Sequence, residues 1–151
     1  MDVSVEVDIL APKDLVWDAV TNIDQWEGMI SGIMSLEILH RPVDGLIGLK
    51  WSETRKVFGK VSTETMWVTD AEDLSFYRTR AENQGAIYIS NISLTEIGDA
   101  TRLTQSFSMS SDTIFSKLIT LVMGAMLKRS LRKLILADVN DIKAFVESRG
   151  K

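Results

Sequence analysis

Cysteine is absent from this 151-residue chain, histidine occurs once and proline twice. Without cysteine the chain has no disulfide, thiol nucleophile or thiolate metal site, which fits a reducing compartment. The single histidine, His40, lies at the end of a predicted strand beside Pro42, so we predict a surface residue rather than a general base. No His, Asp and Glu residues have the spacing of metal ligands. We therefore expect neither a metal nor a cofactor.

A strong excess of one charge and a long apolar run are also missing. Seventeen basic and 21 acidic residues give a net charge of −4, which argues against a nucleic-acid partner. No basic and apolar segment typical of a secretion signal opens the sequence. With 45% apolar and 25% charged residues, these features predict one cytoplasmic domain over 1–151 without a transmembrane segment.

The stretch 114–127 is apolar on most sides but shorter than the about 20 residues that a membrane span needs. We predict that it is buried under the sheet and loops. A gate over a pocket, a dimer contact or a peripheral membrane contact remain alternatives, and the oligomeric state stays open. The last alternative would use the basic residues that follow, which are Lys128, Arg129, Arg132 and Lys133.

The chain opens with strict alternation of apolar and polar residues, typical of a strand with one buried face. Pro12 follows this strand and suits the first turn of a helix. Two short amphipathic helices are predicted, over about 12–22 and 23–30. The apolar positions of the strand are Val3, Val5, Val7 and Ile9.

Residues 31–110 have the pattern of strands and tight turns. Turn residues such as Asp44-Gly45 and Gly98-Asp99 separate the runs. Because the connections are short, neighbouring strands are expected to pair antiparallel in a meander. The six predicted strands cover about 33–41, 46–57, 60–69, 74–81, 86–97 and 100–110.

The last third of the chain has the period of a long amphipathic helix, predicted over about 112–146. Asp112 stands at the N-cap position and Gly150 follows the end. A break at Gly124 is left open, because glycine costs about 1 kcal/mol inside a helix. The apolar stripe comprises Leu127, Leu131, Leu134, Ile135, Val139, Ile142, Phe145 and Val146.

The widths of sheet and helix predict a cavity between them. Seven strands span roughly 30 Å, whereas a helix with its side chains is about 10–12 Å wide. One helix covers that width only if the sheet curls around it, and curling leaves space for a ligand. One sheet face is apolar, with Met34, Leu36 and Ile38 in one row, Ile47, Leu49 and Trp51 in a second, and Leu103, Phe107 and Met109 with Gln105 in a third.

Glu53 and Arg55 continue the row of Trp51. If alternation holds, both point into the apolar face, where an unpaired charge is costly. They would pair with each other or with Arg78, Tyr77 or Tyr88. The alternative is a bulge or strand end that returns both side chains to solvent.

Several segments carry a family likeness: Val5-Glu6-Val7 before Ala11-Pro12, Val16-Trp17-Asp18-Ala19-Val20, Ile23-Asp24-Gln25-Trp26, Gly48, Thr101-Arg102-Leu103-Thr104 and 127–142. With the order of elements, they resemble the START-like or Bet v 1-like superfamily, also called the SRPBCC or polyketide cyclase and lipid-transport group. The resemblance implies an α+β helix-grip fold, in which a curved seven-stranded antiparallel sheet wraps a long C-terminal helix around an apolar pocket. Relatives bind lipids, hormones or polyketides, act as cyclases, or bind proteins, so the fold does not choose the activity.

The leading hypothesis is binding or transport of a hydrophobic or amphipathic small molecule, such as a lipid, isoprenoid or polyketide-like compound. A cyclase or dehydratase-like enzyme and a protein-interaction module are the alternatives, and no catalytic residue is assigned. Met123 and Met126 are interpreted as adaptable walls or as plain core. The predicted ligand-binding residues are Leu36, Ile38, Leu49, Trp51, Glu53, Arg55, Tyr77, Tyr88, Gln105, Phe107, Met109, Met123 and Met126.

Overall fold

A computed structural model of the chain describes residues 2–57, 59–83, 85–111 and 114–149, and the side chains of 111–123 lie outside what it describes. The helices are α1 (Lys13–Thr21), α2 (Trp26–Met29), which follows a 3₁₀ turn (Ile23–Gln25), and α3 (Ile114–Arg149). The strands are β1 (Asp2–Ile9), β2 (Ile33–His40), β3 (Lys50–Val57), β4 (Lys60–Glu72), β5 (Phe76–Asn83), β6 (Ala86–Ile97) and β7 (Ala100–Ser111).

The seven strands form one antiparallel sheet in the order β1-β7-β6-β5-β4-β3-β2. The meander β2 to β7 returns the chain beside β1, so that β1 and β2 become the two edges of the described sheet. The long C-terminal helix and the two short helices between β1 and β2 complete the predicted arrangement. The α+β helix-grip fold is confirmed.

The helix α3 runs without interruption through Gly124, so the break left open there does not occur. A Cβ on Gly124 would meet no atom within 4 Å. The predicted cap Asp112 and the terminal Gly150 lie outside the described residues. Within the described part of the chain, no helix has the length and apolar character needed to cross a membrane. The fully buried part of α3 packs into the core through Ile135, Val139, Ile142 and Val146.

Side-chain hydrogen bonds hold the C-terminal half of α3 against the end of β1 and the segment before β2. The Glu147 carboxylate accepts the backbone N–H of Leu10 at 2.7 Å. One oxygen of Asp141 accepts both the backbone N–H and the hydroxyl of Ser31, at 2.9 and 2.8 Å. The C-terminal half of α3 is therefore tied both to the segment that follows β1 and to the segment that precedes β2.

The short helices close the end of the sheet. The extended backbone of Pro12 precedes α1, as expected for a residue that fixes the entry into a helix. The indole N–H of Trp26 donates to the carbonyl of Ala19 at 3.2 Å. The buried hydroxyl of Tyr77 on β5 donates to the carbonyl of Val20 at 2.6 Å. These bonds satisfy backbone carbonyls at the end of α1 and tie it to the sheet.

The prediction for the start of β3 was wrong by four residues. β3 begins at Lys50, because the preceding residues form a turn in which the N–H of Leu49 donates to the carbonyl of Leu46 at 2.9 Å. Gly48 has φ 95°, which glycine adopts without the penalty that a Cβ brings. Ile47, predicted on the apolar face, is 57% exposed.

A bulge in β2 overturns the predicted position of Met34. The pairing with β3 shifts register between Ile33 and Ser35. Such an extra residue reverses the alternation of the side chains that precede it. Ile33 is therefore buried, Met34 is 56% exposed, and Leu36 and Ile38 are partly buried against the core.

The turn between β4 and β5 lies later than predicted. β4 extends to Glu72 and β5 begins at Phe76, whereas the sequence pattern placed these limits at 69 and 74. Leu74 has φ 62°, an uncommon value for a residue other than glycine. It belongs to the turn, and its apolar side chain had extended the predicted strand.

Candidate functional site

A cavity of about 570 Å³ lies between the inner face of the sheet and α3. Among the strands, α3 packs mainly against β1, and the inner faces of β3 to β7 line the cavity together with α3. Its apolar lining comprises Trp26, Ile30, Trp51, Val57, Met66, Ala81, Ile92, Phe107, Met109, Leu127, Leu131, Leu134, Ile135 and Ile142. Its polar lining comprises Glu53, Arg55, Lys60, Ser62, Glu64, Tyr77, Thr79, Asn83, Tyr88, Ser90, Gln105 and Asp138.

Three charged side chains form an ion-pair cluster on the cavity wall. The Nε of Arg55 donates to Glu53 Oε2 at 2.8 Å, and both residues belong to β3. The two terminal nitrogens of Arg55 contact the two oxygens of Asp138 on α3, at 3.0 and 2.9 Å. Glu53 is 4% exposed and the Arg55 side chain 20%. Both side chains thus face the cavity. Of the pairings considered from the sequence, the one between Glu53 and Arg55 is formed.

Burial and charge act against one another in this cluster. Burial alone would lower the pKa of Arg55, but the Glu53 and Asp138 carboxylates raise it above its ordinary value. Burial raises the pKa of Asp138, and the hydrogen bond from Arg55 opposes that rise. Burial and the Glu53 charge raise the pKa of Tyr77 well above its ordinary value. Arg55 therefore stays charged and Tyr77 stays neutral.

A second polar group lies beside the first on β4 to β6. Glu64 on β4 stands directly opposite Glu53 in the sheet register. One Glu64 oxygen, Oε1, accepts the side-chain N–H of Asn83 at 2.9 Å and a longer bond from the Ser62 hydroxyl at 3.4 Å. Burial and the Glu64 charge raise the pKa of Tyr88, whose phenol stays protonated at neutral pH.

Aromatic side chains form two walls of the cavity. Tyr88 and Phe107 lie with their ring centroids 5.9 Å apart on neighbouring strands. Trp26 and Trp51 meet edge to face at 6.1 Å, a favourable arrangement of aromatic quadrupoles. Trp51 is 1% exposed, and its indole nitrogen has no hydrogen-bond partner among the described residues.

The structure brings most of the predicted site residues to the cavity, and the exceptions have physical causes. Leu49 is buried in the core and does not line the cavity, and Leu36 and Ile38 pack against the core near the sheet edge. Met126 is 72% exposed, so its prediction as a wall or as core was wrong. The side chain of Met123 lies outside the described residues. The predicted residues that line the cavity are Trp51, Glu53, Arg55, Tyr77, Tyr88, Gln105, Phe107 and Met109.

Arg78 and His40 lie away from the cavity. Arg78 is exposed and pairs with Asp70 at 3.4 Å, so it is not the partner considered for Glu53. His40 is an exposed residue at the end of β2, as predicted. Among the described residues, the His, Asp and Glu side chains form no group that could hold a metal ion.

The sequence reasoning missed Asp138 and most of the polar lining of β4 to β6. Asp138 follows Ile135 by three residues and precedes Ile142 by four, so helical spacing already placed it on the buried stripe. The signal for the polar lining is the alternation of side chains along β4, β5 and β6. The same rule would have found Ser62, Glu64, Thr79, Asn83 and Ser90.

A curved antiparallel sheet that grips a long helix around a largely apolar cavity is a fold that binds hydrophobic ligands. Residues 1–139 match the family described as polyketide cyclase / dehydrase and lipid transport, and the chain belongs to this family. A relative described as a putative polyketide cyclase, from Streptomyces cyaneus, is 32% identical over 113 residues, which are 71% of this chain and 72% of the relative. The resemblance drawn from the sequence is confirmed.

Solved structures share the complete fold. A START superfamily protein from Mycobacterium smegmatis superposes with a TM-score of 0.81 at 17% identity over 97% of both chains. The Zhui aromatase/cyclase from Streptomyces sp. R1128 gives 0.79 at 18% identity, over 100% of this chain and 96% of that one. At these identities the comparison establishes the fold only, and the nature of the ligand has to be inferred from the residues that line the cavity.

Proposed function

We propose that this protein binds and carries a hydrophobic or amphipathic small molecule in the cavity between the sheet and α3. The observation that supports this function is the largely apolar cavity of about 570 Å³. Protein interiors are close-packed, and voids larger than a water molecule are few. Ligand pockets are typically roughly 300–1,000 Å³ and are lined by apolar side chains with a few polar groups.

The polar cluster would orient the ligand. An apolar body would lie against residues such as Phe107 and Leu131, with an oxygen toward Arg55. A guanidinium has five N–H donors, and contacts with Glu53 and Asp138 use three of those of Arg55. The remaining donors are available to a ligand carbonyl or hydroxyl. This arrangement suits an amphipathic ligand better than a plain hydrocarbon.

A cavity-filling substitution tests this function. Ser90 on β6 lines the cavity, and Ser93 on the same strand has the opposite side-chain direction and does not. Native mass spectrometry of the purified protein is expected to show a co-purified small molecule with the wild type and with Ser93→Phe. Ser90→Phe is expected to lose it while keeping its circular dichroism spectrum. Equal ligand occupancy in Ser90→Phe, or an empty wild type that binds no apolar probe, would contradict the proposal.

A second candidate function is cyclisation of a polyketide-like chain. The specific observation in its favour is a carbonyl-polarising donor, Arg55, beside the carboxylates of Asp138 and Glu64 in one cavity. A carboxylate would take a proton from a carbon between two carbonyls, and that carbon would form a bond to a third carbonyl carbon. The oxygen of this carbonyl would accept the proton, and loss of water would leave a ring double bond. The relative described as a putative polyketide cyclase supports this candidate.

Turnover of a synthetic linear poly-β-ketone thioester tests the second candidate. Wild-type protein is expected to speed the formation of the cyclised product, detected by the loss of one water in mass spectrometry, over the rate in buffer. Arg55→Met is expected to lose the acceleration, and Arg80→Met, at a partly exposed arginine outside the cavity, is expected to keep it. A wild-type rate equal to that in buffer would leave only the carrier function.

A further inference from the structure

The charges that line the cavity do not balance. Three carboxylates contribute to the lining, Glu53, Glu64 and Asp138, against the two cations Arg55 and Lys60. Lys60 is the exposed first residue of β4, where water and salt screen its charge. Inside the cavity, the balance is three negative groups against one positive group.

Arg55 is already engaged by two of the carboxylates. Its three nitrogen–oxygen contacts, between 2.8 and 3.0 Å, go to Glu53 and Asp138. A ligand carboxylate that approached Arg55 would become the third anion on a single guanidinium. Repulsion between like charges is strong in a poorly hydrated site, so this approach is unfavourable.

Glu64 has no cationic partner among the described residues. Its Oε1 is held by the neutral groups of Asn83 and Ser62, and no contact to Oε2 is found in the described part of the chain. Its position opposite Glu53 in the register brings two carboxylates onto the same sheet face. Oε2 of Glu64 is therefore an acceptor for a ligand that brings its own N–H or O–H.

Trp51 adds an independent requirement. This residue is 1% exposed and lines the same cavity, and its indole N–H lacks a partner among the described residues. A buried donor without a partner costs free energy, and an oxygen of a bound ligand that reached this wall would recover it. A neutral molecule with both groups can accept the indole N–H of Trp51 through its carbonyl and donate to Glu64 through its hydroxyl.

We propose that the cavity selects its ligand by charge, with Glu64 as the specificity-determining residue. It accepts a neutral, hydroxyl-bearing apolar molecule and rejects a carboxylate with the same apolar body. This inference rests on the proposed binding function and narrows its ligand class, because it removes free fatty acids and other carboxylic acids. The physical cause of the selection is the excess of carboxylates over cations among the residues that line the cavity.

Two fluorescent probes with one four-ring body test the selection. The first, 1-hydroxypyrene, is neutral with a donor at neutral pH, and the second, 1-pyrenecarboxylate, is an anion. The full chain is expected to bind the hydroxyl probe at least about tenfold more tightly, as one extra buried charge repulsion predicts. Glu64→Gln is expected to reduce this ratio about tenfold. Glu72→Gln, the same change at an exposed position of β4 outside the cavity, is expected to leave the ratio unchanged.

The outcomes separate this inference from the binding function on which it rests. Equal binding of both probes by the wild type overturns the charge selection and leaves the binding function standing. A ratio that is unaffected by Glu64→Gln overturns the role of Glu64. Failure of a folded wild type to bind either probe, with no displaceable co-purified molecule, overturns the binding function and the selection together.

Discussion

Arg55 on β3 and Asp138 on α3 are joined by two nitrogen–oxygen contacts of 3.0 and 2.9 Å, although 83 residues separate them in the sequence. β3 lies next to the edge strand β2, and α3 also accepts hydrogen bonds from Ser31, two residues before β2 begins. The pair therefore ties α3 directly to the inner face of β3, at one wall of the cavity. This relationship makes one ion pair both a structural link and part of the lining.

The ion pair between Arg55 and Asp138 predicts that two arginine substitutions differ strongly in their effect on stability. Arg55→Met leaves Glu53 and Asp138 buried without their counter-charge, and we expect the free energy of unfolding to fall by about 3–5 kcal/mol. Arg80→Met removes a partly exposed pair with Glu82 and is expected to cost less than about 1 kcal/mol. Urea unfolding of both variants measures the difference. Equal losses would mean that the buried pair adds nothing specific to stability.

Two aspartates are expected to give opposite pH dependences. Burial raises the pKa of Asp138 in the folded state, so the folded protein binds this proton more tightly than the unfolded chain. Its contribution to stability is complete below the unfolded value of about 3.9 and is lost as pH rises through the folded value. The stability of the wild type relative to Asp138→Asn is expected to fall over that interval.

Asp8 provides the opposite case. The hydrogen bond and charge of Arg102 lower its pKa, so its contribution is present above the unfolded value of about 3.9 and is lost as pH falls through the folded value. The stability of the wild type relative to Asp8→Asn is expected to rise with pH over that interval. Thermal unfolding at a series of pH values checks both signs, and slopes of the same sign would contradict the pair of predictions.

Addition of a single methyl group at Gly32 is expected to disturb the ion pair between Arg55 and Asp138. A Cβ at this position would lie 3.2 Å from the Nη1 of Arg55 and 3.7 Å from an oxygen of Asp138. Gly32→Ala is expected to displace the guanidinium, to lower stability by about 0.5–1 kcal/mol and to weaken ligand binding. Gly28→Ala, whose Cβ would meet no atom within 4 Å, is expected to be neutral or slightly stabilising, because alanine favours a helix. Urea unfolding and titration with 1-hydroxypyrene measure the two effects, which similar behaviour of the two variants would refute.

Two methionines distinguish the observed site from the predicted one. Met66 lines the cavity and Met126 is 72% exposed. Met66→Ala is expected to weaken the binding of 1-hydroxypyrene about fivefold or more through lost apolar contact. Met126→Ala is expected to leave it unchanged. A loss of affinity in the second variant would show that Met126 contacts the ligand after all.

Regular alternation made the inner face of β3 and β7 predictable. Trp51, Glu53 and Arg55 follow one another at intervals of two, and the pairing of β3 with β4 has no shift of register. The same period assigned Gln105 and Phe107 correctly to the inner face. The order of the elements was sufficient for the fold, because short connections leave few ways to pair the strands.

The errors arose where local backbone geometry interrupts the period. The bulge beside Met34 depends on how β2 pairs with β3, which the sequence of β2 alone does not specify. Apolar side chains at Ile47 and Leu74 lengthened two predicted strands, although the backbone there forms turns. The role of Asp138 could not be predicted from α3 alone, because its ion-pair partner, Arg55, lies 83 positions away in the sequence.

The order of strands ends at β1 on one side and β2 on the other, so the sheet is a strip and not a closed ring. A closed barrel has a diameter set by the number of strands and their stagger. An open sheet can curve more or less strongly while its strands keep all their hydrogen bonds. Interior volume in such a protein becomes adjustable through the curvature of the strip and the side chains along it. Ligands of different size can thus be accommodated by one unchanged pattern of backbone hydrogen bonds.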